Sequence, residues 1–385
     1  MKLQRLIILA LAASVSVATH GQLFNPLGLG IDKCERVGGY FQPQMHVEGD
    51  ILYVCTNQGL YSKNLSSEES TWQLAGFEGI PLQDYARRGN DIFAVQYDKM
   101  LLSHDGGKTY EDITPDLTEG YNIPTEFKRL AQHPNDTNML LVLSGGTGMF
   151  QSADFGQTWK SLRENDLLYI GYHPLNPEII YLSGRNGGYE PLLNISYDSG
   201  LTWISLHPDN SGDNSVYRLA FHPTDPEKWI AGGFCVVYTT TDNGHTWNTQ
   251  HFSGVYKAWW SYTVFDNENS NVIYMAGGLD ETINVMCSTD GGKSWNIPQT
   301  EPKKKPISEG VYDFKQYGNK LLVYTGSDVY EISKADFLSK VTSVRSITTA
   351  TTEESSEIYD LQGRRLSAMP QKGVYIQNGK KKLVK

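Results

Sequence analysis

Ser196-Tyr197-Asp198-Ser199-Gly200-Leu201-Thr202-Trp203 is one of five related octads in the chain, and these octads decide the fold. The other four keep the same order of hydroxyl residue, aspartate, glycine, hydroxyl residue and aromatic residue, and lie at residues 103–110, 152–159, 240–247 and 288–295. Successive aspartates are 49, 44, 44 and 48 residues apart. Chance does not produce five copies at one spacing, so the chain is predicted to consist of repeated structural units.

Each residue type in the octad suits a tight turn. Aspartate and Ser/Thr side chains bind backbone N–H groups within a turn, and glycine adopts the positive φ that other residues avoid. The aromatic residue is predicted to fill the gap between neighbouring sheets. We therefore assign structural roles to two sets of residues. The aspartates are Asp105, Asp154, Asp198, Asp242 and Asp290, and the aromatic residues of the last four octads are Trp159, Trp203, Trp247 and Trp295.

The pattern [ST]-x-D-x-G-x-[TS]-[WY] resembles the Asp-box, or BNR repeat, of β-propellers such as sialidases, sortilin-type receptors, two-propeller xyloglucanases and photosystem II assembly factors. In those families the boxes lie at the periphery, away from substrate. A geometric argument agrees, because glycosidase chemistry needs two carboxylates within roughly 5–10 Å of one sugar bond. Turns placed one per repeat around a rim cannot supply such a pair.

Short strands with proline-containing turns precede the middle octads, as in Leu130-Ala131-Gln132-His133-Pro134. Four short strands per repeat form a propeller blade, so we predict an all-β, seven-bladed β-propeller over residues 22–338. The predicted blades are 39–79, 80–114, 122–162, 166–206, 215–250, 256–298 and 309–336. The last has no octad, and its fourth strand is expected either from residues 341–347 or from the N-terminal segment around 23–37.

Both ends of the chain differ from its body. Residues 1–21 have a positive start at Lys2 and Arg5 and an apolar run over 6–18, which is typical of a secretory signal and too short for a membrane span. Residues 339–357 are predicted to be a linker. Residues 358–385 contain Y-D-L-Q-G-R, K-G-V-Y and G-K-K, and resemble the C-terminal sorting segment of Bacteroidetes type IX secretion cargo. That resemblance implies export through the periplasm to the cell surface or medium, with the secretion machinery as a partner; the alternative is a stabilising β-appendage.

Composition excludes some partners. The 385 residues carry a formal charge of −10, which argues against nucleic acid, because phosphate binding needs a basic surface. A glycan or an extracellular protein is the expected ligand, with no cofactor and no metal. His133, His173 and His222 each precede proline in equivalent turns and are predicted to support the backbone.

The four cysteines, Cys34, Cys55, Cys235 and Cys287, leave alternatives open. An exported protein permits disulfides, and four cysteines allow three connectivities. A Cys34–Cys55 bond would hold the N-terminal segment to blade 1, and Cys235 and Cys287, on strands of adjacent blades, could also pair or remain buried thiols.

The functional surface is expected where the innermost strands start and open onto the central channel. Aromatic residues and arginines there are candidates for ligand binding: Arg129, Tyr169, Tyr217, Arg218, Trp259 and Trp260, with Arg185 and Tyr189 from a long loop of blade 4. The candidate catalytic carboxylates are Asp84, Asp313, Asp280 and Glu281.

Two functions fit these residues. We favour a non-catalytic binding or scaffold module; the alternative is a secreted glycoside hydrolase. Resemblance to sialidases implies an Arg-Ile-Pro motif, which the sequence lacks. Resemblance to xyloglucanases implies two propellers that each give one aspartate, and this chain is long enough for only one. A hydrolase of the xyloglucanase kind should show two facing carboxyl groups, one of them with a raised pKa.

Overall fold

The computed structural model of the protein describes most of the predicted propeller. The described residues are 23–31, 42–115, 126–145, 147–163, 168–185, 191–206, 208, 215–252, 258–279, 282–298 and 310–341, with the backbone of 358–359, 365–366, 373–377 and 380–384. The predicted signal at 1–21, the linker beyond 341, and Cys34 lie outside them. No helix in this part of the chain is long and apolar enough to span a membrane.

Seven antiparallel sheets form the blades of the propeller. The first strand, β1 (Asn25–Pro26), belongs to the last sheet. Blades 1 to 3 have four strands each, in sequence order from the channel outward. They are β2 (Met45–Glu48), β3 (Ile51–Thr56), β4 (Gly59–Asn64) and β5 (Gln73–Gly76); β6 (Asp84–Arg88), β7 (Asp91–Val95), β8 (Met100–Ser103) and β9 (Glu111–Asp112); β10 (Glu126–Gln132), β11 (Leu140–Gly145), β12 (Gly148–Ser152) and β13 (Lys160–Arg163).

Blades 4 and 5 repeat this order, and blade 6 has three strands. They are β14 (Tyr169–Tyr172), β15 (Ile180–Arg185), β16 (Pro191–Ser196) and β17 (Ile204–Leu206); β18 (Leu219–Phe221), β19 (Trp229–Gly233), β20 (Val236–Thr240) and β21 (Asn248–His251); β22 (Trp259–Phe265), β23 (Ile273–Leu279) and β24 (Thr282–Ser288). A single bridge between Cys287 and Asn296 takes the place of a fourth strand in blade 6. The predicted seven-bladed propeller is confirmed.

Blade 7 closes the ring with residues from both ends of the propeller. It contains β25 (Asp313–Tyr317), β26 (Lys320–Tyr324) and β27 (Val329–Ser333), and β1 pairs with β27 at its outer edge through Asn25 opposite Glu331. The innermost strand β25 contacts β2 of blade 1. Of the two expected sources of the fourth strand, the structure contains the N-terminal one.

The octads form identical hydrogen-bonded turns at the outer part of five blades. In blade 3 the Ser152 hydroxyl donates to Asp154 Oδ1 at 2.8 Å, and Thr158 donates to the same carboxylate through both its backbone N–H (2.8 Å) and its hydroxyl (2.5 Å). The other four octads have the same bonds. Each aspartate therefore binds its own turn.

Packing against the preceding blade explains the glycine of the octad. Gly156 has φ +92°, and a Cβ at this position would lie 2.4 Å from the Phe93 ring of blade 2. Glycine is required here for both its backbone conformation and the close approach. Phe155, Gly156 and Trp159 thus fasten blade 3 to blade 2, with the rings of Phe93 and Trp159 5.7 Å apart.

A helix and a small sheet follow the propeller. The helix α1 (Lys334–Val341) was not predicted, and it extends into the first residues of the expected linker. It packs on blade 6 through Phe337, and Lys334 Nζ lies 2.7 Å from Asp266 Oδ2. The C-terminal segment forms one sheet of four strands, β28 (Ile358–Tyr359), β29 (Arg365–Leu366), β30 (Gly373–Gln377) and β31 (Lys380–Val384), which is one more than the two or three expected.

Candidate functional site

Aromatic side chains line one mouth of the channel, where the inner strands start. The Tyr169 and Tyr217 rings are 6.0 Å apart, Tyr217 and Trp259 are 6.1 Å apart, and Phe234 lies 4.3 Å from Trp259. We call these four residues the aromatic ladder. Three of the predicted ligand-binding residues therefore lie together, and Phe234, from the tip of the β19–β20 connection, is an addition that the sequence reasoning missed.

Exposure differs along the aromatic ladder. Trp259 is 36% exposed, whereas Tyr169 and Tyr217 are buried. Trp260, the other tryptophan of this pair, is completely buried in the core between blades 5 and 6. Successive residues of a strand point to opposite faces, so only Trp259 presents its ring at the mouth.

Two arginines lie below the ladder and close the channel. Arg218 donates from Nη1 to Asp313 Oδ1 (3.1 Å) and from Nη2 to Gln44 Oε1 (2.5 Å), which connects blade 5 to blades 7 and 1. Arg129 donates to Gln42 Oε1 at 2.6 Å and stacks over the Tyr169 ring at 4.9 Å. Both predicted arginines are therefore in the channel, where they hold neighbouring and facing blades together.

Asp313 is fully buried and saturated with partners. Its Oδ1 accepts from Arg218 and the Phe314 N–H (2.8 Å), and its Oδ2 accepts from the Met45 N–H (3.0 Å) and faces Lys315 Nζ at 3.3 Å. Burial alone would raise the pKa of Asp313, but the Lys315 and Arg218 charges and the two backbone N–H groups hold it below the ordinary value. The carboxylate is charged at neutral pH.

Asp84 has a similar environment at the start of blade 2. Its Oδ1 lies 2.7 Å from His46 Nε2 and accepts from the Tyr85 N–H at 2.9 Å. Its side chain is 5% exposed. The charge of Asp84 acts on Lys315, which also pairs with Asp313, so the two predicted catalytic aspartates flank one lysine.

The remaining predicted site residues cannot be placed in this arrangement. Asp280, Glu281 and Tyr189 lie outside the described residues, as does the side chain of Arg185. Within the described ranges, no group of three histidine, cysteine, aspartate or glutamate side chains gathers as metal ligands do. The three turn histidines bind backbone instead; His173 Nδ1, for example, accepts from the N–H groups of Leu175 (3.1 Å) and Asn176 (3.0 Å).

A cavity of about 770 Å³ opens at the other mouth, where the inner strands of blades 1, 2, 3, 6 and 7 end. We call it the lower cavity. Its polar wall contains His46, Glu48, Tyr85, Arg87, Gln132 and Lys315. The sequence reasoning considered only the strand starts and missed it. Polar residues two apart on inner strands, as in His46 and Glu48 or Asp313 and Lys315, were the available signal, because such residues face the same side.

Comparison with known proteins places the fold among Asp-box-like propellers. A sequence profile described as "Sortilin, neurotensin receptor 3" matches residues 147–282, which include three of the octads. Sortilin of Rattus norvegicus is 26% identical over 220 residues, which cover 54% of this chain and 25% of sortilin. The chain thus spans about a quarter of the length of this relative.

Solved structures share the fold at low identity. The GH74 xyloglucanase of Xanthomonas campestris superposes with a TM-score of 0.58 at 16% identity, over 78% of this chain and 53% of the enzyme. A structure titled YCF48 bound to D1 peptide gives a TM-score of 0.55 at 14% identity, over 78% of this chain and 95% of YCF48. The propeller is therefore related in fold to both an enzyme and a peptide-binding protein.

Proposed function

We propose that the protein is an exported, non-catalytic binding propeller that holds a glycan on the aromatic ladder at the channel mouth. This proposal rests on the hydrogen bonds and ion pairs that already occupy Asp84 and Asp313, the two candidate catalytic carboxylates among the described residues. A general acid must hold a proton near neutral pH. Asp313 is fully buried, has a lowered pKa and accepts from two cations and two backbone N–H groups. Asp84 is bound to His46 and the Tyr85 N–H. The Asp313 carboxyl is therefore held in its charged form, and Asp84 Oδ1 is already engaged by its neighbours.

The ladder has the properties of a binding surface. The ring of Trp259 is accessible. It is held between the buried Tyr217 on one side and Phe234 on the other. A fixed aromatic face loses little conformational entropy when a sugar or a peptide side chain stacks on it. Rigid support and one exposed ring favour binding without bond cleavage.

Size supports the same conclusion. The chain matches nearly all of YCF48, a protein solved with a bound peptide, but only 53% of the GH74 enzyme. Export through the predicted signal and the C-terminal sorting segment would place the binding face outside the cell, where glycans are abundant.

Hydrolysis is the second candidate, and one observation favours it. Trp259 pairs with Gly278 in the inner part of blade 6, and Asp280 and Glu281 follow Gly278 after one intervening residue, Leu279. Two carboxylates therefore follow β23 in the sequence, and β23 pairs with the strand that holds the exposed tryptophan. A hydrolase would need these residues, rather than Asp84 and Asp313, as its acid and base.

A glycan array and a reducing-sugar assay on the same preparation separate the two functions. We expect the wild-type protein to bind a glycan and release no reducing ends, and Trp259→Ala to lose at least about tenfold in affinity. Leu201→Ala is the matched control, because Leu201 is a 77% exposed apolar side chain on an outer octad. Release of reducing ends that disappears in Asp280→Asn or Glu281→Gln would establish the hydrolase instead. Binding of peptides but not of glycans would overturn the glycan as the proposed ligand and assign a peptide ligand in its place.

A further inference from the structure

The lower cavity is separate from the aromatic ladder. Arg218, Asp313 and Gln44 cross-link the channel between the two mouths, and Arg129 with Gln42 fills the side nearest blade 3. The cavity lies beyond this layer, at the ends of the inner strands, and has the size of a small-molecule site. Whatever occupies it does not touch Trp259.

The cavity wall has hydrogen-bond donors to spare. Arg87 lies over the Tyr53 ring at 4.6 Å, and its only ion pair in the described structure is a long one, from Nε to Glu48 Oε2 at 3.4 Å. Its two terminal nitrogens have no hydrogen-bond partner among the described residues. Lys315 Nζ lies 3.3 Å from Asp313 and can donate two further hydrogens. Two cations thus face one cavity with unused N–H groups.

Acceptors are fewer, and one is already engaged. Glu48 Oε1 accepts from the Tyr85 hydroxyl at 2.5 Å, which leaves Oε2 beside Arg87. The amide of Gln132 donates to the backbone carbonyls of Arg87 (3.0 Å) and Thr137 (2.9 Å), so its Oε1 remains available in the wall. A ligand that fits has one group that accepts from the cations and hydroxyl groups that donate to Glu48 and Gln132.

We infer that the lower cavity is a second binding site, for a hexuronate: a sugar whose carboxylate is held by Arg87 and Lys315. A guanidinium binds a carboxylate through two parallel N–H groups, and Arg87 has both terminal nitrogens available for this. A single negative charge suits the site better than a phosphate dianion, because Glu48, Asp84 and Asp313 already surround the cations. The sugar hydroxyls face Glu48 and Gln132.

Isothermal titration of the full chain tests this assignment with D-galacturonate, D-galactose and inorganic phosphate. We expect galacturonate to bind, with affinity that falls as NaCl rises, and galactose and phosphate to bind at least about tenfold more weakly. Equal binding of galactose would overturn carboxylate recognition, and tighter binding of phosphate would overturn the ligand class. No heat with galacturonate would overturn the site.

Two neighbouring arginines supply the matched variants. Arg87→Gln should weaken galacturonate binding about tenfold. Arg88→Gln removes the same charge from the same strand, but Arg88 pairs with Asp91 (2.8 Å) on the opposite side of the sheet, so binding should not change. Equal effects of the two variants, or no effect of Arg87→Gln, would overturn the proposal.

A variant that is expected to bind galacturonate more tightly shows that a loss of binding in the other variants is not caused by misfolding. Glu48→Gln removes the negative charge that competes for Arg87, but its amide oxygen has two lone pairs and can still accept from the Tyr85 hydroxyl and from a sugar hydroxyl, so galacturonate should bind about threefold more tightly. Weaker or unchanged binding would contradict the proposed contact. Trp259→Ala should leave galacturonate binding intact, which distinguishes failure of this site from failure of the proposed function.

Discussion

Arg218 Nη1 lies 3.1 Å from Asp313 Oδ1, so a side chain of blade 5 binds a side chain of blade 7 across the channel. The same guanidinium reaches Gln44 ahead of blade 1. The Arg218 guanidinium therefore connects blade 5 to blades 7 and 1, which are the two blades that meet where the ring closes. Arg218, a predicted ligand-binding residue, and Asp313, a predicted catalytic residue, thus connect the two ends of the propeller.

Removal of one member of this pair should strongly destabilise the fold. Arg218→Met leaves the Asp313 carboxylate buried without its main cross-channel partner, and we expect the free energy of unfolding to fall by about 3–5 kcal/mol in a urea titration. Lys99→Met breaks the exposed Lys99–Asp112 pair (2.9 Å) and should change the free energy of unfolding far less. Similar losses for the two variants would contradict the structural role assigned to Arg218.

The Arg218–Asp313 pair also predicts that the folded protein loses stability at acid pH. Because the folded-state pKa of Asp313 is below its ordinary value of 3.8, its contribution to stability is present above pH 4 and is lost as the pH falls through the lowered value. Asp313→Asn should flatten this part of the stability curve, as measured by thermal melts between pH 2 and 5. A variant that keeps the wild-type slope would show that other carboxylates control the transition.

The octad aspartates should affect stability and leave binding unchanged. Asp154→Ala removes the acceptor of Ser152 and Thr158, and we expect a loss of about 1–3 kcal/mol in the free energy of unfolding. Asp98 is an exposed aspartate outside the octads, so Asp98→Ala should change the free energy of unfolding little. Loss of ligand binding by a folded Asp154→Ala protein would refute the peripheral role of the octads.

The turn histidines should weaken the fold at mildly acid pH. Burial, with help from Lys228, lowers the pKa of His222, whose Nδ1 accepts from the backbone of Thr224 and Asp225. Its contribution is present above about pH 6.5 and is lost as the pH falls below that value, because the unfolded state then binds the proton more readily.

The chain itself offers the control for this effect. In blade 6 an aspartate, Asp266, caps the equivalent turn by accepting from the backbone of Glu268 and Asn269, both at 2.9 Å. His222→Asp should therefore keep the turn and reduce the loss of stability between pH 7 and 5. Melts that follow the wild-type pH dependence in His222→Asp would exclude His222 as a source.

Cys287 should resist alkylation in the folded protein. It is a free thiol, and burial raises its pKa to about 12, so almost no thiolate exists at pH 8. Site-resolved mass spectrometry after iodoacetamide treatment should find Cys287 modified only when urea unfolds the chain. Rapid modification in native buffer would mean that the interface between blades 6 and 7 opens readily.

The sequence predicts the repeat well because the octad is a local structure. Asp154, Gly156 and Trp159 satisfy their own turn and the adjacent blade, and this chemistry is visible in eight consecutive residues. Blade 7 was harder, since its outer strand comes from Asn25 and Pro26, at the other end of the propeller.

The position of the candidate site was predictable, but the hydrogen-bond partners of its residues were not. Tyr217, Arg218 and Trp259 were expected at the channel mouth and are there. Asp313, however, is saturated by groups from three blades, and no local pattern reveals that Met45 and Arg218 meet it. The lower cavity depends in the same way on strand ends that are far apart in sequence, such as Glu48, Arg87 and Lys315.

The pairing of Asn25 with Glu331 has a consequence for biosynthesis. Asn25 precedes Glu331 by 306 residues, so its segment has no strand partner until nearly the whole propeller has been translated. Closure of the ring is therefore a late, long-range step of folding, because the outer edge of blade 7 can form only when both ends of the propeller are available.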